Sequence, residues 1–248
     1  MEEKKKKEEK KKASLHAGAT ASVYVADSTS ERTRMYNKEC NNIRAELSQK
    51  RQACQAELDR KLTKDATHVG DRSKGVNLAW GYEVAEVKMG GKGTVKWNSA
   101  QRKELLTTGK VRGAEGHHIN SVAENPPMQV NPDNVEFCRG RKAHLDKHNG
   151  KFQNPTKGPL LDRDKRLVDT NKKRVLKNEA TGFVVAVGIG AMTEAVSSVV
   201  NECKENGASM KSVKNGFKKC GKPVLRSCLI CGVSYTITRG LNYLLFKA

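Results

Sequence analysis

Four of the six histidines fall within residues 117–148: His117 beside His118, then His144 and His148, with Asn134 between the pairs. Each spacing has a chemical reading. His144-x-x-x-His148 puts two imidazoles one turn apart on a helix face, where both reach a single cation. Gly116-His117-His118-Ile119 reads as a strand end, and neighbouring strand residues point to opposite faces. One of the adjacent pair therefore faces a metal while the other faces solvent and substrate; spacing alone leaves open which. Three neutral imidazoles around a divalent ion leave positions free for water and a phosphate oxygen. The fourth, with an ordinary pKa of about 6.5, can take a proton from that water. The amide of Asn134 is placed to hold the base imidazole in one tautomer. Such a set suffices for one-metal hydrolysis of a phosphodiester.

The elements that must position these groups can be read from the flanks. Asn134-Val-Glu-Phe-Cys138 alternates as a short strand, and Arg139-Gly140-Arg141 turns into the helix of His144. Asn125-Pro126-Pro127 and Asn131-Pro132-Asp133 are loop chemistry. The expected order is strand–loop–strand–helix, with a cation clamped between hairpin and helix. The fold class that follows is α+β: a small ββα-metal module flanked by an N-terminal helix and a C-terminal hydrophobic helical section.

Glu115-Gly-His-His118, Asn134 and His144-x-x-x-His148 together resemble the HNH nuclease superfamily with its ββα-metal fold. The branch they resemble is the GHH-signature group of bacterial toxin nucleases, and colicin-type DNases share the same order. GHHINSV, NPDNVEF, RKAHLDKH and GKFQNPTKGPLLDR carry the likeness, which covers residues 105–165. The resemblance implies His117 as metal ligand, His118 as general base, and Asn134 orienting the base through its amide or backbone. His144 and His148 would complete the metal site, Glu115 would hold a ligand histidine, and Arg112 would contact the scissile phosphate. It further implies one divalent ion, Mg²⁺ in action, with Zn²⁺, Ni²⁺ or Mn²⁺ able to take its place. Double-stranded DNA cut with little sequence preference, a toxin role and a cognate immunity protein belong to the same implication; RNA as a substrate stays open.

The composition fits a polyanionic partner. Lys plus Arg number 47 against 27 Asp plus Glu among 248 residues, a formal net charge of +20. The first twelve residues hold seven Lys and four Glu, so most of the excess is spread over the body. Only 36% of residues are hydrophobic and 5% aromatic, lean for one large core. The expected layout is a charged, disordered tail over 1–30 and an amphipathic helix over 31–64. A Gly-rich linker or small β element follows over 65–104, then the nuclease module over 105–165. A basic connector over 166–179 leads to an apolar helical hairpin over 180–248.

The helix over 31–64 rests on Met35, Ile43, Leu47, Cys54, Leu58 and Leu62 at steps of four, seven or eight. β-like pieces are expected at Trp80–Tyr82, Val84–Val87 and Thr94–Trp97. Residues 180–201 carry a single charge, Glu194, and 227–238 carry none, so a membrane contact through 180–246 stands beside a buried soluble hairpin. The charged start, with no apolar run after it, predicts a cytoplasmic protein or an effector secreted without a signal peptide. Seven widely spaced cysteines read as reduced thiols. Cys228-x-x-Cys231 has half the spacing of a zinc site and no second pair.

The main rival reading is a non-catalytic DNA-binding or membrane-associated protein whose ββα unit holds a structural zinc. Structural zinc prefers cysteine ligands and closes all four positions, and only Cys138 lies near. His16 and His68 have no supporting neighbours. Trp80 and Trp97 read as packing residues.

Overall fold

The computed structural model of the protein describes residues 2–64 and 70–245; His68 lies outside them. The chain is mostly helical, with a small antiparallel sheet. In order come α1 (Glu2–Leu62), α2 (Arg72–Lys88), α3 (Ser99–Thr108), β1 (Glu115–His118), β2 (Val135–Cys138), α4 (Arg141–Lys147), α5 (Arg163–Asn206), α6 (Met210–Lys219) and α7 (Gly221–Leu245). Two compact units result. Tyr36–Arg174 form one; the residues up to Met35 and from Val175 on form the other.

The histidines lie in the Tyr36–Arg174 unit. β1 and β2 pair antiparallel, with Glu115 opposite Cys138 and His118 opposite Val135. Between them run two 3₁₀ turns, Pro126–Met128 and Pro132–Asn134, each with proline at its start, where a missing N–H costs nothing. The sheet packs on an aromatic core. Trp80 of α2 stacks on Phe137 of β2 at 3.8 Å between ring centroids and on Trp97 at 6.0 Å. Ala79, Leu105, Val111 and Val135 complete the cluster.

The stretch 65–104 differs from the linker or β element expected there: it contains α2 and the start of α3. Positions 75, 78, 79, 80, 82, 83, 85, 86 and 87 are buried in α2, and the less buried positions 73, 77, 81, 84 and 88 recur with a helical period. Two of the buried residues are glutamates and one is glycine, so the apolar pattern is masked in the sequence. All three are satisfied in the fold, Glu86 by Arg166. Glu83 is fully buried and pairs with the buried Arg163 at 2.8 Å. Gly75 lets the main chain of Gln129 approach, since a Cβ there would lie 2.3 Å from the Gln129 carbonyl oxygen. α3 opens on a reciprocal capping box between Asn98 and Gln101 and closes on Gly109 at φ 78°.

Arg163, the first residue of α5, ties the unit together. Its guanidinium also donates to the carbonyls of Pro132 (2.8 Å) and Val135 (2.7 Å), gripping the entry to β2. The stretch expected as a solvated basic connector, 166–179, is part of α5. Arg166 pairs with Glu86 of α2 and Arg174 with Glu39 of α1, each at 2.8 Å, so these cations are matched by carboxylates within the fold. On α1, Cys40 and Leu47 join Tyr82, Ala85, Met89 and Leu167 in a second cluster. Leu58 is buried, whereas Met35 is exposed.

In the other unit, residues 2–30, expected as a disordered tail, are helical. Their small residues explain the order: Gly18, Ser22, Ala26 and Ser30 form one buried face of α1. Residues 180–248, expected as a hairpin, contain the end of α5, then α6 and α7. Ser209 caps α6 by accepting from the Ser212 amide.

Candidate metal centre and active site

His117, His144 and His148 converge. One nitrogen from each lies within 4.8 Å of the others, and among the described residues this is the single His/Cys/Asp/Glu group of that kind. Ring centroids are 4.8–5.3 Å apart. The Cys228–Cys231 pair therefore gains no third ligand.

Local chemistry fixes each ring. Nδ1 of His144 meets Glu115 Oε2 at 2.8 Å, and Nδ1 of His148 meets the Asn154 carbonyl at 2.8 Å. A carboxylate and a carbonyl only accept, so both Nδ1 atoms carry the proton and both Nε2 lone pairs are free. The Asn154 side chain donates back to the His148 carbonyl at 2.7 Å. That reciprocal pair needs a sharp reversal, supplied by Asn149 (φ 49°) and Gly150 (φ 83°).

His117 is 2% exposed and its ring makes no hydrogen bond. Nδ1 is buried without a partner, and Nε2 comes no nearer than 3.9 Å to Glu136 Oε1, a carboxylate already paired with Lys147. Burial, with His148, His144 and Lys147 alongside, pushes its pKa down to about 4. A buried neutral imidazole with an orphaned nitrogen, facing two more with free lone pairs, fits a divalent cation.

His118 is held apart from this trio. Its Nε2 lies 3.1 Å from the Gln129 carbonyl. That contact sets the proton on Nε2 and leaves the lone pair on Nδ1. Burial, and the positive charge of Arg72, lower its pKa, against the raising effect of the carbonyl. His118, His144 and His148 share a cavity of about 580 Å³ with Arg72, Ser73, Val76, Phe152 and Asn154.

Asn134 is fully buried but does not touch the His118 ring. Its side chain accepts from the Asn120 amide at 2.8 Å and donates to the Asn120 carbonyl at 3.0 Å, and its own carbonyl accepts from Ile119 at 2.8 Å. It pins the chain just after β1, so any effect on the base passes through the backbone. Glu115 contacts a trio histidine, as described above. Arg112 is exposed and does not line the cavity; its amide donates to Glu104. The cationic side chain in the cavity is Arg72. The sequence does not mark it, because it stands forty-five residues before His117 in a stretch that reads as a linker. Phe152 carries no sequence signal either; its ring lies 5.3 Å from that of His144 and under the Arg141 guanidinium.

Gly116 has a packing reason. A Cβ there would come within 2.8 Å of Val76, so the glycine lets β1 lie against α2.

Comparison with known proteins agrees in kind. Residues 68–139 match the family described as GHH signature containing HNH/Endo VII superfamily nuclease toxin. The match takes in Arg72, the paired histidines and Asn134, and stops before His144 and His148. Teneurin-3 of Danio rerio is 32% identical over 68 residues, and Teneurin-4 of Homo sapiens 29% over the same length. These stretches cover 27% of this chain and 2% of either relative. No solved structure matches.

Proposed function

We propose that this chain is a metal-dependent endonuclease that hydrolyses phosphodiester bonds of DNA with little sequence preference. One observation carries the reading: two kinds of imidazole border the same small region, three converging through free nitrogens and a fourth fixed in one tautomer by a main-chain carbonyl. His117, His144 and His148 hold the divalent ion. When bound, that ion supplies Lewis-acid stabilisation of the charge on phosphate and leaving oxygen. His118 takes the proton of the attacking water on Nδ1; its lowered pKa keeps it neutral at physiological pH. Arg72 offers a forked donor to the phosphate, the role first expected of Arg112. Glu115 orients His144, and Asn134 positions the end of β1. The +20 balance draws a polyanion to the surface. Three nitrogen donors bind Zn²⁺ or Ni²⁺ more tightly than Mg²⁺ or Mn²⁺, so Mg²⁺ as the working ion depends on its abundance. An inhibitory immunity protein belongs to the same toxin reading.

The test is nicking of supercoiled plasmid with Mg²⁺, with and without EDTA, beside His118→Ala and an RNA substrate. Cleavage should vanish with EDTA and fall by about 10²–10⁴-fold in the variant. A wild-type protein that retains DNA and never cuts it would overturn the proposal.

A further inference from the structure

The unit formed by residues up to Met35 and from Val175 on is built inside out. On α5, Asn178, Gly182, Ala186, Gly190 and Glu194 recur every fourth residue and are all buried. On α7 the buried row is Ser227, Cys231 and Tyr235, followed by Arg239, which bonds Glu179 of α5. On α1 it is Gly18, Ser22, Ala26 and Ser30. Small and polar groups therefore fill the interior. The glycines bring helices close: a Cβ on Gly190 would lie 2.7 Å from Cys231 Sγ, and one on Gly182 would lie 2.6 Å from the Tyr235 hydroxyl.

The outward rows are the reverse. Leu225, Leu229, Val233, Ile237 and Leu241 recur every fourth residue on α7 and are 54–65% exposed. On α5 Val184, Met192, Val196 and Val200 form a matching row, broken by Gly188 and 42–68% exposed, and 17% of that helix's most apolar stretch is buried. A soluble helical bundle keeps its apolar row inside. Small-residue contacts and hydroxyls inside with aliphatic residues outside are how helices pack in lipid. Each outward row covers sixteen residue steps, about 24 Å of helix, against a hydrocarbon thickness of roughly 30 Å.

The connecting helix α6 adds charge complementarity. Met210 and Phe217 are 84% and 59% exposed, and Lys211, Lys214, Lys218 and Lys219 lie around them. Basic residues beside exposed apolar ones suit a surface of anionic headgroups. We propose that α7 and the part of α5 from Gly182 to Val200 insert into an anionic lipid bilayer, their outward aliphatic rows facing acyl chains and α6 lying at the headgroups.

The test uses the full chain and vesicles of phosphatidylcholine with phosphatidylglycerol. Wild type should float with the vesicles and stay with them through carbonate at high pH. Leu229→Lys with Val233→Lys places two charges on an exposed row. In water they are harmless; facing acyl chains, each should lower partitioning by about 100-fold. The double variant should leave the vesicles while its circular dichroism stays helical. Wild type remaining in the aqueous fraction would overturn the proposal. So would a double variant that floats like wild type, or one that only converts a dimer to a monomer, since the row would then be an interface between copies of the chain.

Discussion

Gly75→Ala tests whether the main chain of Gln129 sets the base. The substitution lies on α2, more than forty residues before the first histidine of the site. Its new Cβ would stand 2.3 Å from the Gln129 carbonyl oxygen and 3.2 Å from the carbonyl carbons of Gln129 and Val130, where real contacts do not fall below 3.0 Å. The oxygen must therefore retreat by about 0.7 Å, and the obstacle is backbone, which cannot swing aside like a side-chain tip. That oxygen is the acceptor for His118 Nε2 at 3.1 Å. A retreat of this size stretches or tilts the bond and frees the ring. Misplacement of a reacting group by about 1 Å can cost about 100-fold in rate, so a loss of 10- to 100-fold in plasmid nicking is expected at this smaller shift. Stability should change less: overpacking costs about 1–3 kcal/mol, and alanine returns up to about 1 kcal/mol of helix propensity. The divalent-ion affinity, measured by calorimetry, should match wild type, because no trio histidine touches Gln129. Gly81→Ala, where a Cβ would meet only the Leu47 methyl at 3.1 Å, is the control. If Gly75→Ala folds and nicks plasmid at the wild-type rate, the carbonyl does not set the base.

Glu115→Gln should weaken ion binding by about 10- to 100-fold in calorimetry, the usual cost of altering a ligand's hydrogen-bond partner; unchanged affinity would show that His144 needs no carboxylate. Arg163→Met leaves Glu83 buried without its cation and should cost about 3–5 kcal/mol in urea unfolding, whereas a loss below 1 kcal/mol would mean the pair is not holding β2. Acid should destabilise the Tyr36–Arg174 unit through three carboxylates: Arg174 holds Glu39 below its ordinary range, Lys61 does so for Asp71, and Arg44 for Asp164. Folded pKa values below the unfolded ones mean that the unfolded chain binds more protons, so this stability is complete above about pH 4 and is lost as pH falls further. A melting temperature that stays flat from about pH 5 to about pH 3 would refute it.

The chemistry was more legible than its support. His144 and His148 sit one helical turn apart whatever surrounds them, and paired strand residues must diverge, so convergence of three rings and separation of the fourth could be read from spacing. The support could not. α2 is amphipathic only if Glu83 and Glu86 count as buried, and nothing local says that Arg163 and Arg166, eighty residues on, will meet them. Glycine misleads in the opposite direction: Gly75 reads as part of a Gly-rich linker, yet in α2 it is a place of close approach. The same held for residues 13–30, where small side chains without an apolar period looked unstructured because their partner rows, on α5 and α7, lie far along the chain. Arg72 was invisible for a simpler reason: a lone arginine in a basic protein has no signature.

The partner of His118 is a main-chain atom, which changes how this site can decay or drift. Gln129 could be exchanged for many residues and a carbonyl would still stand there. Its own amide, bonded to the Asp71 N–H at 2.9 Å and to the Pro126 carbonyl at 3.0 Å, only keeps that segment from sagging. A random single-codon change at 129 therefore cannot delete the acceptor outright, as it can at Glu115. Inactive descendants should accumulate lesions at the imidazoles and at the crowded glycine, while a change at position 129, whose side chain is fully buried, costs packing and the Asp71 contact before it costs the acceptor.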